Sequence, residues 1–103
     1  MTTIVTHQPR VAWDGARAFV RIAQTTSYDV FAAQVLDRLG PDLHTLLEDT
    51  RARVLDNLYR TGGDHYLTDV EAGKWRVRLE DLLRTRPELT GAVIELTSMV
   101  SRF

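Results

Sequence analysis

Apolar residues recur along this chain at intervals of three and four, in five stretches separated by Gly, Pro, Ser and Thr. That period belongs to amphipathic helices, not to strands. The first stretch predicts a helix from Pro9 to about Gln24, with proline in the first turn, where its missing N–H costs nothing. Val11, Ala12, Trp13, Ala16, Phe19, Val20, Ile22 and Ala23 share a broad apolar arc on it. Arg10, Asp14, Arg17 and Arg21 form the narrow polar stripe opposite. An arc this wide implies cover from more than one neighbour.

Thr25-Thr26-Ser27 breaks the pattern, and Ser27 is the expected N-cap of a short second helix ending at Leu39. Tyr28, Phe31, Ala32, Val35, Leu36 and Leu39 form its apolar face. Gly40-Pro41 then marks a helix-to-helix junction. The third helix runs to about Arg60, with Leu43, Leu46, Leu47, Val54, Leu55 and Leu58 inward and Asp49 spaced to pair with Arg53. Thr61-Gly62-Gly63-Asp64 is the clearest loop.

Thr68-Asp69-Val70-Glu71 has the spacing of a capping box, which starts the fourth helix there. Its inward face is Trp75, Leu79, Leu82 and Leu83, with Trp75 the expected core anchor, and Arg76, Glu80 and Arg84 form an exposed ladder. Pro87-Glu88 opens the last helix, whose stripe is Leu89, Ala92, Val93, Leu96, Met99, Val100 and Phe103. Ile94 points the other way, among Thr and Ser. No segment alternates long enough for a sheet, and Thr3-Ile4-Val5 has no strand to pair with. The fold class is therefore all-α: a single compact domain of about five helices over 1–103, a bundle or orthogonal array, with 1–8 a mobile arm.

Composition narrows the function more than it identifies it. Charge is balanced, at 13 basic and 14 acidic residues for a net −1, so no global field draws the chain to nucleic acid or an anionic membrane. Twelve of the basic residues are Arg and only Lys74 is Lys. There is no cysteine, which removes disulfides and thiolate metal sites and fits a reducing compartment. No apolar run is long enough to span a membrane, and the first seven residues lack the features of a signal peptide. A cytoplasmic location is the expectation.

Candidate chemistry is sparse. His44 and Glu48 are spaced i,i+4 but lack further ligands, so no metal is expected. Asp64-His65-Tyr66 gathers titratable groups beside the glycine loop. Ser27, Ser98 and Ser101 are the only serines, none in a G-x-S-x-G turn, and Gly62-Gly63 lacks the Lys-Ser or Lys-Thr of a phosphate loop. Glu48-Asp49 and Glu80-Asp81 are adjacent carboxylates that diverge around a helix. The expectation is no enzyme, no catalytic residue and no cofactor.

What remains is surface. Arg10, Arg17 and Arg21 are partner-binding candidates, suited to an acidic protein or a phosphate backbone. The stripe lacks the Asn, Gln or Ser that meet base edges. Ile94 and Phe103 are the apolar candidates, for a partner protein or a second copy. The leading expectation is a non-catalytic interaction or adaptor domain that docks a protein or self-associates. A small nucleic-acid-binding regulator using the Arg stripe is the first alternative. The second is a small-ligand sensor or enzyme subunit with a pocket near Trp75 and the His65-Tyr66 loop.

Trp75, Leu79, Leu82, Leu83, Pro87 and Leu89 make a W-x-x-x-L-x-x-L-L-x-x-x-P-x-L pattern. It resembles that of small helical, effector-associated domains of actinobacteria, and Trp13 to Arg17 is similar to their first helix. The resemblance implies an adaptor role in bacterial signalling and supplies no catalytic residue. It also implies a glycine-rich signalling tail after the helical domain, and Phe103 stands where such a tail would begin.

Overall fold

Residues 7–103 are described by a computed structural model. Five α-helices follow one another: α1 Gln8–Ile22, α2 Tyr28–Leu39, α3 Pro41–Thr61, α4 His65–Thr85 and α5 Thr90–Val100. Among the described residues there is no strand, and the fold is all-α, as the periodicity predicts. Of the arm expected over 1–8, residues 1–6, with Thr3-Ile4-Val5, lie outside the described residues. His7 and Gln8 begin α1: the His7 Nδ1 accepts from the Arg10 N–H at 3.2 Å, and the Gln8 side chain donates to the Leu83 carbonyl at 3.3 Å.

α1 is the central element, packed chiefly on α4 and then on α5. Gly15 lets both come close. A Cβ there would stand 3.0 Å from a Leu79 methyl and 3.1 Å from one of Val93. Phe19, from the same face, meets Phe31 of α2 and Trp75 of α4 edge-on at 5.2 and 5.1 Å. Edge-on aromatic pairs add to simple burial. Trp75 is fully buried, and its Nε1 donates to the Thr50 hydroxyl at 2.8 Å, which leaves no unpaired indole N–H in the core. An Arg38–Glu95 ion pair ties α2 to α5.

Several local readings are corrected. Asp64 is the N-cap of α4, accepting from the Tyr66 N–H at 3.0 Å, so the helix starts one turn before Thr68. Thr68 lies inside that helix and bonds back to the His65 carbonyl. The earlier start holds because the Thr61 hydroxyl accepts from the Gly63 and Asp64 N–H groups, closing the loop tightly. Ser27 precedes α2 but makes no side-chain cap. Pro87–Leu89 is a single 3-10 turn ahead of α5, not the opening of the helix itself. Gly40, at φ 100°, and Gly62, at φ 77°, occupy left-handed backbone that glycine adopts without strain.

The apolar face of α4 is buried as expected, whereas that of α3 differs. Gln8 meets Leu83, Gly15 meets Leu79 and Phe19 meets Trp75, so α1 and α4 run antiparallel and α1 ends near Ala72. Tyr28, at the start of α2, bonds Glu48 of α3. Beyond that point α3 has no α2 beside it. The distal α3–α4 hairpin therefore projects past the other helices, giving extents of 53 × 25 × 25 Å. Leu55 and Leu58 consequently stay exposed instead of turning inward; Leu36 of α2 is exposed as well, and Trp13 is half-exposed. Phe103 is exposed as well, not part of the core stripe.

Candidate functional site

α5 runs parallel to α1, with Ile94 near Val11 and Val100 near Ala18. This arrangement follows from the glycine at Gly15 and the small Ala18 on α1, which let α5 settle low beside it. The result is a furrow between the polar stripe of α1 and the outer side of α5. Open dips run into one another along it. One, of about 230 Å³, is bounded by Asp14, Arg17, Ala18, Arg21, Thr97, Val100 and Ser101. Ile94 borders a second with Val11, and Phe103 a third with Arg21 and Val100. A separate dip, of about 420 Å³, lies on the other side of the polar stripe, bounded only by α1 and its cap: His7, Pro9, Arg10, Trp13, Asp14 and Arg17.

Four of the five partner-binding candidates thus border the α1–α5 furrow, and Arg10 lies beside Trp13 on the far side of the stripe. Arg17 and Arg21 form the furrow's cationic rim, while Ile94 and Phe103 extend its apolar side. The rim is partly engaged already. Arg10 lies 3.7 Å from Asp14, a largely exposed pair of little net worth. Arg17 stacks over the Trp13 ring at 4.8 Å, and Arg76 of α4 approaches the same ring at 5.3 Å. Trp13 therefore serves as a platform that holds two guanidinium groups at the surface. The hydroxyls of Thr97 and Ser101 donate to their own helix, at 2.9 Å to Val93 and 2.7 Å to Ser98. They present acceptor lone pairs and a smooth wall.

The other candidates do not converge on this furrow or on one another. His44 stands 3.6 Å from Glu48, which also accepts from Tyr28 at 2.7 Å. Burial, and then the hydrogen bond to that carboxylate, push the Tyr28 hydroxyl above its usual range. Among the described residues no three His, Asp or Glu side chains are grouped as metal ligands. His65 and Tyr66 lie exposed at the hairpin tip, and Trp75 is enclosed by Phe19, Thr50 and the Arg78 guanidinium. The Asp49–Arg53 pair is replaced, because Arg53 turns to Glu71, and Arg84 pairs with Asp81 instead of Glu80.

Glu71 is the residue that sequence reasoning misplaced most. The sequence sets it in a capping box with Thr68, whereas in the structure it is fully buried. Arg53 and Lys74 each donate to it at 2.9 Å. Burial alone would push its carboxyl up, but the hydrogen bonds from Arg53 and Lys74 outweigh that and hold it below the ordinary value. It clamps the base of the hairpin. A second omission is legible in hindsight: Tyr66, Val70, Gly73 and Val77 form an exposed apolar stripe on the back of α4. Compared with protein families, with curated proteins and with solved structures, the chain gives no match.

Proposed function

We propose that this chain is a non-catalytic interaction domain that docks a helical segment of a partner protein in the α1–α5 furrow. The observation that carries the reading is the convergence of Arg17 and Arg21 with Ile94 and Phe103 along the α1–α5 furrow. An apolar trough beside a cationic rim fits an amphipathic helix with carboxylates along one edge. Arginine suits that task, since its planar fork grips a carboxylate at two points. The resemblance of Trp75–Leu89 to effector-associated domains points the same way, toward an adaptor.

Asp14 sits at the junction of the dips and the net charge is −1, and both weigh against a phosphate backbone as the occupant. No helix of the described residues is long and apolar enough to cross a membrane. The test is titration with an acidic amphipathic peptide carrying Leu at i, i+3, i+4 and i+7 and Glu between, followed by amide chemical shifts. Shifts confined to α1 and α5, weakening with salt, are expected. Retention of duplex DNA or RNA at low salt, with no response to the peptide, would favour the nucleic-acid reading instead.

A further inference from the structure

The furrow has a direction. Its three dips follow one another, sharing Asp14 and Thr97 at the first junction and Arg21 and Val100 at the second. Val11 and Ile94 stand at one end, Arg21 and Phe103 at the other. From Val11 to Arg21 the trough runs about 15 Å, close to three helical turns. The wall that α5 supplies, Ile94, Thr97, Ser98, Val100 and Ser101, carries no charge. All the charge along the trough therefore comes from α1, and in a fixed order: Asp14, then Arg17, then Arg21.

That order is open to a partner. Among the described residues neither Arg17 nor Arg21 is ion-paired, and Asp14 meets only Arg10, at 3.7 Å in an exposed pair. The steps of three and four residues from Asp14 to Arg17 to Arg21 are those that bring side chains onto one face of a helix. A helix seated in the trough meets them with one cation and two carboxylates at the same spacing. Charge alone allows this in either direction, and the helix dipoles separate the two. α1 and α5 run parallel, so their negative C-terminal ends both lie at the Arg21–Phe103 end. A third helix gains by setting its N-terminus there. Its carboxylates then fall in its own N-terminal half, and Glu precedes Lys, the stabilising order within a helix. The reverse seating puts Lys before Glu and aligns three dipoles.

We propose, resting on the furrow's role as a docking site, that it takes its partner helix antiparallel to α1. Two carboxylates four residues apart lie against Arg21 and Arg17, and a Lys or Arg three residues further on lies against Asp14. Asp14 is then the residue that sets specificity: it favours a partner with one cation at that place over a uniformly acidic one.

Three peptides with the same leucine spacing decide it, titrated against the full chain. One carries Glu at i and i+4 and Lys at i+7, the second carries Lys at i and Glu at i+3 and i+7, and the third replaces the Lys of the first by Gln. The first is expected to bind about threefold to fivefold more tightly than either of the others, the scale of one exposed charge pair. With Asp14→Asn, at a half-exposed position, the first and third are expected to bind alike. A nitroxide on the N-terminus of the first peptide is expected to broaden the amides of Arg21 and Ser101 most strongly, and one on its C-terminus those of Val11 and Ile94. Equal binding of the three peptides, or broadening at the opposite ends, would overturn the direction and leave the furrow a docking site. No binding by any of them would remove the docking site itself and the direction with it.

Discussion

Trp75 joins three elements through one side chain: its ring meets Phe19 of α1, its Nε1 bonds Thr50 of α3, and its backbone belongs to α4. Replacing it with alanine opens a cavity and leaves the Thr50 hydroxyl with one partner fewer. Trp75→Ala is expected to cost about 3–5 kcal/mol in urea unfolding. A loss under about 1 kcal/mol would place the ring outside the core. This residue was legible because a tryptophan at helical spacing from Leu79 and Leu83 has few other places to go. Glu71 was not legible. Its partner Arg53 is eighteen residues away, and a carboxylate beside Val70 and Ala72 carries no mark of burial in a linear reading. Its folded-state carboxyl is held below the ordinary value near 4.5, so it adds stability above that pH and loses it as pH falls through the folded value. Glu71→Gln should lower stability at pH 7 by about 1–3 kcal/mol, less than for a wholly enclosed pair because Arg53 and Lys74 still reach water. At pH 3 the variant and wild type should differ much less. An equal gap at both pH values would mean that the ion pairs do not hold the hairpin.

At the scale of the elements, the helices themselves were readable and their ends were not. Period and punctuation locate all five, since each needs one apolar stripe and a Gly or Pro at its boundary. Two signals competed at the start of α4. Thr68 with Glu71 matched a capping box, but Asp64 follows a glycine pair and caps first, aided by the Thr61 hydroxyl. The competing motif then falls inside the helix. Asp64→Ala is expected to cost about 1 kcal/mol and Thr68→Ala close to nothing, because only the former leaves a helix N–H unpaired. Thermal unfolding of the two variants checks it, and the reverse order would restore the later start. Likewise the stripe of Leu55 and Leu58 on α3 points inward only if another helix lies beside it. Helix α2 stops short there, and a one-dimensional pattern does not register where a neighbour ends.

At the scale of the whole molecule, Arg17 and Arg21 of α1 share dips with Thr97, Val100 and Phe103 at the far end of the chain. The Arg stripe of α1 and the apolar flank of α5 lie some eighty residues apart in sequence, and a parallel packing across Gly15 and Ala18 brings them together. The sequence named the residues; their convergence depended on a packing direction that periodicity does not encode. The most direct test of the furrow is peptide affinity measured for wild type and for R10E/R17E/R21E with the acidic amphipathic helix as probe. All three arginines lie on the outer face of α1, so the fold is expected to survive. Wild type should bind with an affinity that falls as salt rises, and the charge-reversed protein should bind at least tenfold more weakly, about 1.4 kcal/mol. Equal binding by both proteins, or binding that leaves the amides of α1 and α5 unmoved, would contradict the assignment.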